Sequence, residues 1–296
     1  MEKRGIILKS LAGFYEVEDN KTREITTCRG RGKFRKDGFV LLVGDEVNYG
    51  ISPDGSGYIT KALKRTNQLV RPPIANVDKA LVVFSAKKPE FNIKFLDRLL
   101  AVIEDKQIEP IIIISKIDLL TEHEWDSLTL VLDYYRRIGY EVVSISSKKN
   151  IGIEEVKALV NKKITVICGQ SGVGKSSLLN TIDSDLNIEV NEISKALGRG
   201  KHTTRHVELH KLAGGLVADT PGFSALDLQE LDAQDLRDSF VDFVAVEDEC
   251  RFRGCMHLLE PHCAVKSRVE TGDILNSRYE NYLQLMDEIK NRKIRY

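Results

Sequence analysis

No stretch of this chain stays apolar for long. The densest run, residues 111–114, is closed by Pro110 and Lys116, against the ~20 residues a membrane-spanning helix needs. The opening residues, MEKRGIILKS, carry charge and no apolar run long enough for a signal sequence. A cytoplasmic protein is therefore expected. Charge of one sign is missing as well: 44 Lys/Arg balance 44 Asp/Glu, so any nucleic-acid binding must come from local patches. Residues 1–66 hold one such excess, 13 Lys/Arg against 9 Asp/Glu. Internal repeats and low-complexity tracts are absent. Cysteines are few, five in all. Cys28 and Cys168 stand alone in apolar strand contexts, as core residues. Cys250, Cys255 and Cys263 cluster, and in a reducing compartment a cluster favours metal over disulfide.

What is present suffices for roughly two domains of ordinary size. To about residue 68 the texture is β-rich, with strands expected over residues 5–10, 13–17, 24–28, 39–43 and 46–49 and a turn at Asp54-Gly55-Ser56-Gly57. Five short strands suit a small closed barrel; an OB-fold is expected, and an SH3-like barrel would give the same pattern. Arg71-Pro72-Pro73 reads as a linker. Strands over residues 80–85, 110–114, 141–145 and 163–168 then alternate with helices over 93–104, 125–138, 153–160 and 175–181, followed by strands over 205–211 and 215–219. That alternation argues for a largely parallel sheet with helices on both faces. Beyond residue 230 the expectation is a helix over 231–240, the cysteine cluster and an amphipathic helix over 277–292.

Gly169-Gln170-Ser171-Gly172-Val173-Gly174-Lys175-Ser176 fits the phosphate-loop pattern at every fixed position, between an apolar strand and a helix. Glycines let successive backbone N–H groups point at a phosphate, and the helix adds its positive end. Lys175 then bridges the β- and γ-phosphates, and Ser176 binds Mg²⁺. Ser177 completes the phosphate-binding set. Downstream, Asp219 of Asp219-Thr220-Pro221-Gly222 ends a strand where it can hold Mg²⁺ through water, with the Gly222 N–H sensing the γ-phosphate. Between these motifs lies Gly198-Arg199-Gly200-Lys201-His202-Thr203-Thr204. A threonine there completes the Mg²⁺ shell, Thr204 being favoured over Thr203 because it lies nearer the next strand.

The guanine-reading motif comes before all of these. Ser115-Lys116-Ile117-Asp118 follows an apolar strand, and Ser146-Ser147-Lys148 follows the next. Asp118 can accept from the guanine N1–H and 2-amino groups, which adenine does not offer, and the Lys116 stem can lie along the base. Ser115 stands where the usual motif has Asn. The order is a circular permutation of the common GTPase arrangement, tolerable when the original termini lie close together. Phe223 follows Gly222 where many GTPases carry a water-orienting Gln, so intrinsic turnover is expected to be slow. His202 or an external partner would position the water. A P-loop metabolic phosphotransferase, or an RNA-binding module with a merely regulatory nucleotide site, are the competing classes.

Cys250-x₄-Cys255-x-His257-x₅-Cys263 offers four soft ligands within fourteen residues, a set that suits structural Zn²⁺; His262 is an alternative imidazole. Taken together, the chain resembles the ribosome small subunit-dependent GTPase A (RsgA) family of circularly permuted GTPases, above all in residues 169–177 and 198–204. The resemblance implies His257 as the fourth zinc ligand and a monomeric cytoplasmic factor in late 30S maturation that binds 16S rRNA and hydrolyses GTP. It divides an α/β multidomain chain into an OB-fold RNA-binding domain (1–68), a circularly permuted GTPase domain (69–229) and a helical zinc-binding domain (230–296). Arg29, Arg31, Lys33, Arg35 and Lys36, with Phe34 to stack, form the expected RNA surface of the barrel. Arg251, Arg253, Lys290, Arg292, Lys293 and Arg295 are further RNA-contact candidates.

Overall fold

The computed structural model describes residues 2–30, 32, 34, 38–70, 72–184, 207–219 and 231–292, Asp219 by its backbone alone. The chain divides into two compact units. One is Met1–Ala80 with Ile153–Cys168 and Ser176–Phe223; the other is Leu81–Gly152 with Gly169–Lys175 and Ser224–Tyr296.

In the first unit, β1 (Lys3–Leu11), β2 (Phe14–Asp19), β3 (Ile25–Gly30), β4 (Glu46–Ile51) and β5 (Gly57–Ala62) follow one another along the chain. Their order in space is β1-β2-β3-β5-β4, and β4 closes back onto β1. Only the β3–β5 pair is parallel. This closed five-strand circuit is the OB-fold and not an SH3-like barrel. Ile7, Val17, Val47, Tyr49 and Ile59 alternate inward along their strands and are fully buried.

The strand count of five holds, but one member changes. Residues 39–43 do not form a strand, because side chains take their backbone groups: Asp45 Oδ2 accepts from the Leu42 N–H at 2.8 Å, and Arg65 Nη2 donates to the Val40 carbonyl at 2.6 Å. The fifth strand is Gly57–Ala62, whose first residue the sequence assigned to a turn. Nor is the proline segment a free linker. β6 (Gln68–Leu69) and β7 (Ile74–Ala75) pair across it, and the Ala75 N–H donates to the Val43 carbonyl at 2.9 Å. Gly44 permits that approach, since a Cβ there would lie 2.1 Å from the Ala75 carbonyl oxygen.

The second unit holds β8 (Lys79–Ser85) from Leu81 onward, β9 (Glu109–Ser115) and β10 (Glu141–Ser144), in the order β10-β9-β8 with β9 and β10 parallel. Residues 111–114 are wholly buried, as a strand covered on both faces must be. Helix α1 (Ile93–Asp105) is capped by Asn92, whose side chain accepts from the Phe95 N–H. Helix α2 (Glu122–Arg137) starts three residues before its expected first residue, Trp125, because Thr121 and Glu124 form a capping box. The sequence expected one helix over 231–240. Helices α3 (Ile153–Val160) and α4 (Lys175–Ile182) come next in the chain, and in place of that one helix the structure then has two short ones, α5 (Ala233–Asp238) and α6 (Val241–Val244), broken where Phe240 turns inward against Phe243 and Tyr282. The last two helices are α7 (Ala264–Thr271) and α8 (Asn276–Lys290). Among the described residues no helix is long and apolar enough to cross a membrane.

One buried charge cluster ties these helices together. Arg278 of α8, 1% exposed, donates to Asp242 of α6 through Nε (2.9 Å) and Nη2 (2.8 Å), and to Asp97 of α1 through Nη1 (2.5 Å). Tyr134 and Tyr135 of α2 donate to Asp242 and Asp97, each at 2.6 Å, and Asn281 donates to Asp97 at 2.7 Å. Phe240 stacks 4.5 Å from the guanidinium carbon. Burial pushes the Asp97 carboxyl up, and the Arg278 charge opposes that shift.

Candidate functional site

The phosphate loop links β11 (Ile164–Cys168) to a helix over Lys175–Ile182. Its conformation needs its glycines. Gly169 has φ +137°, and a Cβ there would sit 2.1 Å from the Val83 carbonyl oxygen; Gly172 and Gly174 also have positive φ. The Lys175 ammonium is buried and donates to the Gly169 and Gln170 carbonyls, both at 2.7 Å. Its charge is thereby held over the loop. Ser176, also buried, stands in the first turn of the helix. Gln170, Ser171 and Ser177 are open to solvent to differing degrees. A helix N-terminus behind a ring of backbone N–H groups is an anion site, and these residues fit a nucleotide's phosphates.

The base loop is built onto the phosphate loop. Ser115 ends β9 with its hydroxyl directed at the Val173 carbonyl, in close contact, and 3.1 Å from that of Phe84. A hydroxyl has one proton, and the shorter contact takes it. The serine thus joins the two loops, although it is shorter than the usual asparagine. Lys116 has φ +58°, an uncommon conformation for a side-chain-bearing residue. Its ammonium donates to the Gly172 carbonyl (2.6 Å) and the Lys88 carbonyl (2.5 Å), so the stem crosses the space above the phosphate loop. Ile117 opens a short 3-10 turn that leaves Asp118 half-buried, and the Ile117 N–H donates to the Ile145 carbonyl at 3.3 Å.

Asp118 is oriented from the third loop. The fully buried Ser146 donates to Asp118 Oδ1 at 2.6 Å and accepts from the Lys149 N–H at 3.1 Å. The Ser146 hydrogen bond holds the Asp118 carboxyl below the usual range, so it is an acceptor at neutral pH. Ser147 is half-buried beside it and Lys148 exposed.

Cys250, Cys255, His257 and Cys263 bring their ligand atoms within 4.8 Å of one another. His257 Nδ1 lies 3.3 Å from Cys263 Sγ and 3.8 Å from Cys250 Sγ. Ligand bonds of about 2.3 Å to sulfur and 2.0 Å to nitrogen give tetrahedral edges of roughly that length, so the residues fit a metal ion. Burial pushes the Cys255 thiol up to about 12. It is His257, not His262, that joins the three sulfurs. The supporting shell escaped sequence reasoning, which saw Tyr279 and Tyr282 only as an apolar helix face. Their hydroxyls donate to the His257 carbonyl (2.7 Å) and the Met256 carbonyl (2.8 Å). Glu260 accepts from the Met256 and Leu258 N–H groups.

Thr203, Thr204, His202, Gly222 and Phe223 lie outside the described residues, as does the Asp219 side chain. So do Arg31, Lys33, Arg35, Lys36, Lys293 and Arg295. Of the basic barrel surface, Arg29 stacks 4.6 Å from the centre of the exposed Phe14 ring, and Phe34 packs on Phe39 at 6.0 Å. Cys28 and Cys168 are fully buried.

Against known proteins, the RsgA GTPase family profile matches residues 62–229 and the RsgA N-terminal domain profile residues 4–59. The chain is 50% identical over 292 residues to small ribosomal subunit biogenesis GTPase RsgA 2 of Oceanobacillus iheyensis, covering 99% of each. Among solved structures, YloQ, a circularly permuted GTPase, superposes with a TM-score of 0.87 at 43% identity, covering 100% of this chain and 98% of that one. YjeQ from Thermotoga maritima gives 0.87 at 36% identity, over 99% and 100%.

Proposed function

The chain belongs to the RsgA GTPase family, and from that premise we propose that it binds the small (30S) ribosomal subunit through 16S rRNA and hydrolyses GTP there late in subunit maturation. One observation carries the nucleotide part: Ser115 and Lys116 are bonded to the phosphate-loop carbonyls while Ser146 aims Asp118. A base and a triphosphate are thus held in fixed relation by one set of loops. A metabolic phosphotransferase would have no use for the guanine-reading pair. Within this reading Gly169 to Ser177 cradle the phosphates, Lys175 meets the β- and γ-oxygens, and Ser115 to Asp118 with Ser146 to Lys148 hold guanine. Ser176, Thr204 and Asp219 would hold Mg²⁺, which supplies charge neutralisation at the phosphates. The domain boundaries near residues 68 and 229, the cytoplasmic location and the monomeric state belong to the same proposal.

Phe223 offers no hydrogen bond to an attacking water, so the 30S subunit is expected to supply or order that group. Single-turnover GTP hydrolysis should rise roughly ten- to a hundredfold on adding 30S subunits, modest beside the accelerations known for groups supplied in trans. Co-sedimentation with 30S should differ between GTP and GDP. Turnover of several per second by the chain alone, unchanged by 30S, would overturn the proposal.

The Cys₃His cluster we assign to one structural Zn²⁺. Purified protein should carry one equivalent of zinc by elemental analysis. Stripping it with a chelator should expose residues 250–263 to protease, because the segment around the ligands is short and polar and the metal organises it. A metal-free preparation that keeps the same protease pattern would refute the structural role.

A further inference from the structure

The segment that leaves β8 runs beside the base loop and the phosphate loop, and neither sequence motif accounts for its hydrogen bonds. Ser85, the last residue of β8, is 1% exposed. Its hydroxyl donates to the Lys87 carbonyl at 2.6 Å and accepts from the Lys87 N–H at 3.3 Å. One short side chain thus takes both backbone groups of the residue two positions on, which curls the segment into a tight turn. Two further bonds fix the turn in place. The Ala86 N–H donates to the Ser115 carbonyl at 2.8 Å, and Lys87 Nζ donates to Glu124 Oε1 at 2.6 Å. Lys88 then stands at φ +59°, a left-handed conformation that a lysine keeps only where its surroundings impose it. Its carbonyl accepts from the Lys116 ammonium at 2.5 Å, and the Gly172 carbonyl accepts from the same ammonium at 2.6 Å. Burial pulls the Lys116 ammonium below the usual lysine range, so these two carbonyls replace part of its lost hydration.

We propose that Ser85 is a positioning residue for nucleotide binding: it sets the Lys88 carbonyl that pins the Lys116 ammonium, and through that pin it fixes the lysine stem along the base. The proposal rests on the reading of Ser115 to Asp118 as the base loop. A lysine stem is long and rotamer-rich, and one pin leaves it free to swing. The Gly172 carbonyl supplies one pin from the phosphate loop, and the Lys88 carbonyl supplies the other from the opposite side of the ammonium's path. Without the Ser85 hydroxyl the Lys87 backbone groups lose their buried partner, the turn relaxes, and the second pin moves. The base then meets a mobile stem that it must order on binding. Triphosphate and diphosphate suffer alike, because the γ-phosphate plays no part in this contact.

The test is a double-mutant cycle on the full-length protein, read as Kd for a fluorescent GDP analogue. Ser85→Ala should raise Kd about tenfold, roughly what one net hydrogen bond is worth, and GTP in competition should weaken by the same factor. In turnover the loss should fall on KM and not on kcat. Lys116→Met removes the ammonium, and in that background Ser85→Ala should change Kd less than about twofold, because the carbonyl it sets has nothing left to pin. Ser85→Cys keeps the shape with a weak donor. It should show the same coupling at smaller amplitude, and it carries the test if the alanine variant unfolds in urea titrations. A GDP affinity within twofold of wild type for Ser85→Ala and Ser85→Cys overturns the proposal. So does an equal loss in the wild-type and Lys116→Met backgrounds, which would mean that Ser85 acts on the site by another route. Wild-type protein that binds ADP as tightly as GDP would instead sink the guanine reading, while the Ser85–Lys116 coupling still stands or falls by the same cycle run with ADP.

Discussion

Arg278→Met is expected to be the most destabilising single change in the second unit. Among the described residues Arg278 is the sole cation paired with the buried carboxylates Asp97 and Asp242, so its loss strands two carboxylates in a poorly solvated site. Removing one partner of a buried ion pair typically costs about 3–5 kcal/mol, a large share of the ~5–15 kcal/mol that hold a domain folded. The damage should be local in origin. Asp97 lies on α1, Asp242 on α6 and Arg278 on α8, with Tyr134 and Tyr135 of α2 closing the cluster. Hydrogen exchange should therefore speed up in α6 and α8 before it does in β8 and β9.

The stranded charge, and not the lost volume, is the cause being tested. Arg278→Met combined with Asp97→Asn and Asp242→Asn removes the carboxylate charges and should recover much of the lost stability in urea titrations. Replacing whole buried ion clusters by neutral groups is often nearly free in energy, whereas halving them is not. If Arg278→Met unfolds at the same denaturant concentration as wild type, the cluster contributes no net stability. If the triple variant is weaker than the single one, the hydrogen bonds from Tyr134, Tyr135 and Asn281 matter more than charge balance.

That cluster also marks where sequence reading stops. Arg278 and Asp97 are 181 positions apart, and each alone reads as an ordinary charged helix residue. By contrast, the phosphate loop, base loop and Cys₃His set are legible because their chemistry is written in short, contiguous spacings that backbone geometry dictates. Ser115 shows the boundary between the two cases. Its departure from Asn is visible in the sequence and suggests a weaker loop, yet its hydroxyl reaches Val173, 58 positions on, which only the folded approach of the two loops discloses. In the barrel, the five-strand count was legible and the membership was not. Residues 39–43 have the apolar texture of a strand, but Asp45 and Arg65 compete for their backbone groups. Gly57 looks like the end of a turn and in fact starts β5, where a Cβ would lie 2.4 Å from Cys28 Sγ.

Asp118→Asn should convert the nucleotide preference from GTP to XTP. As a carboxylate, Asp118 offers acceptors to both the N1–H and the 2-amino group of guanine. The substitution replaces one acceptor oxygen by a donor that faces the 2-amino group. Hydrogen bonds to a charged group are worth about 1.5–3 kcal/mol, and an unsatisfied donor adds its own cost, so GTP affinity should fall roughly 10²–10³-fold. The neighbouring serine settles which way the introduced amide points. The Ser146 hydroxyl already accepts from the Lys149 N–H and donates to Asp118 Oδ1, so the amide keeps its oxygen toward Ser146 and turns its NH₂ outward to the base. Xanthine presents a carbonyl at that position and gains the hydrogen bond that guanine loses. Ser146→Ala in the same background releases the amide to flip and should narrow the XTP preference without restoring GTP binding. Competition of XTP and GTP against a fluorescent GDP analogue measures both shifts. A variant that still prefers GTP would mean that Asp118 does not read the base, and the assignment of the rotated motif order would have to be rebuilt around another loop.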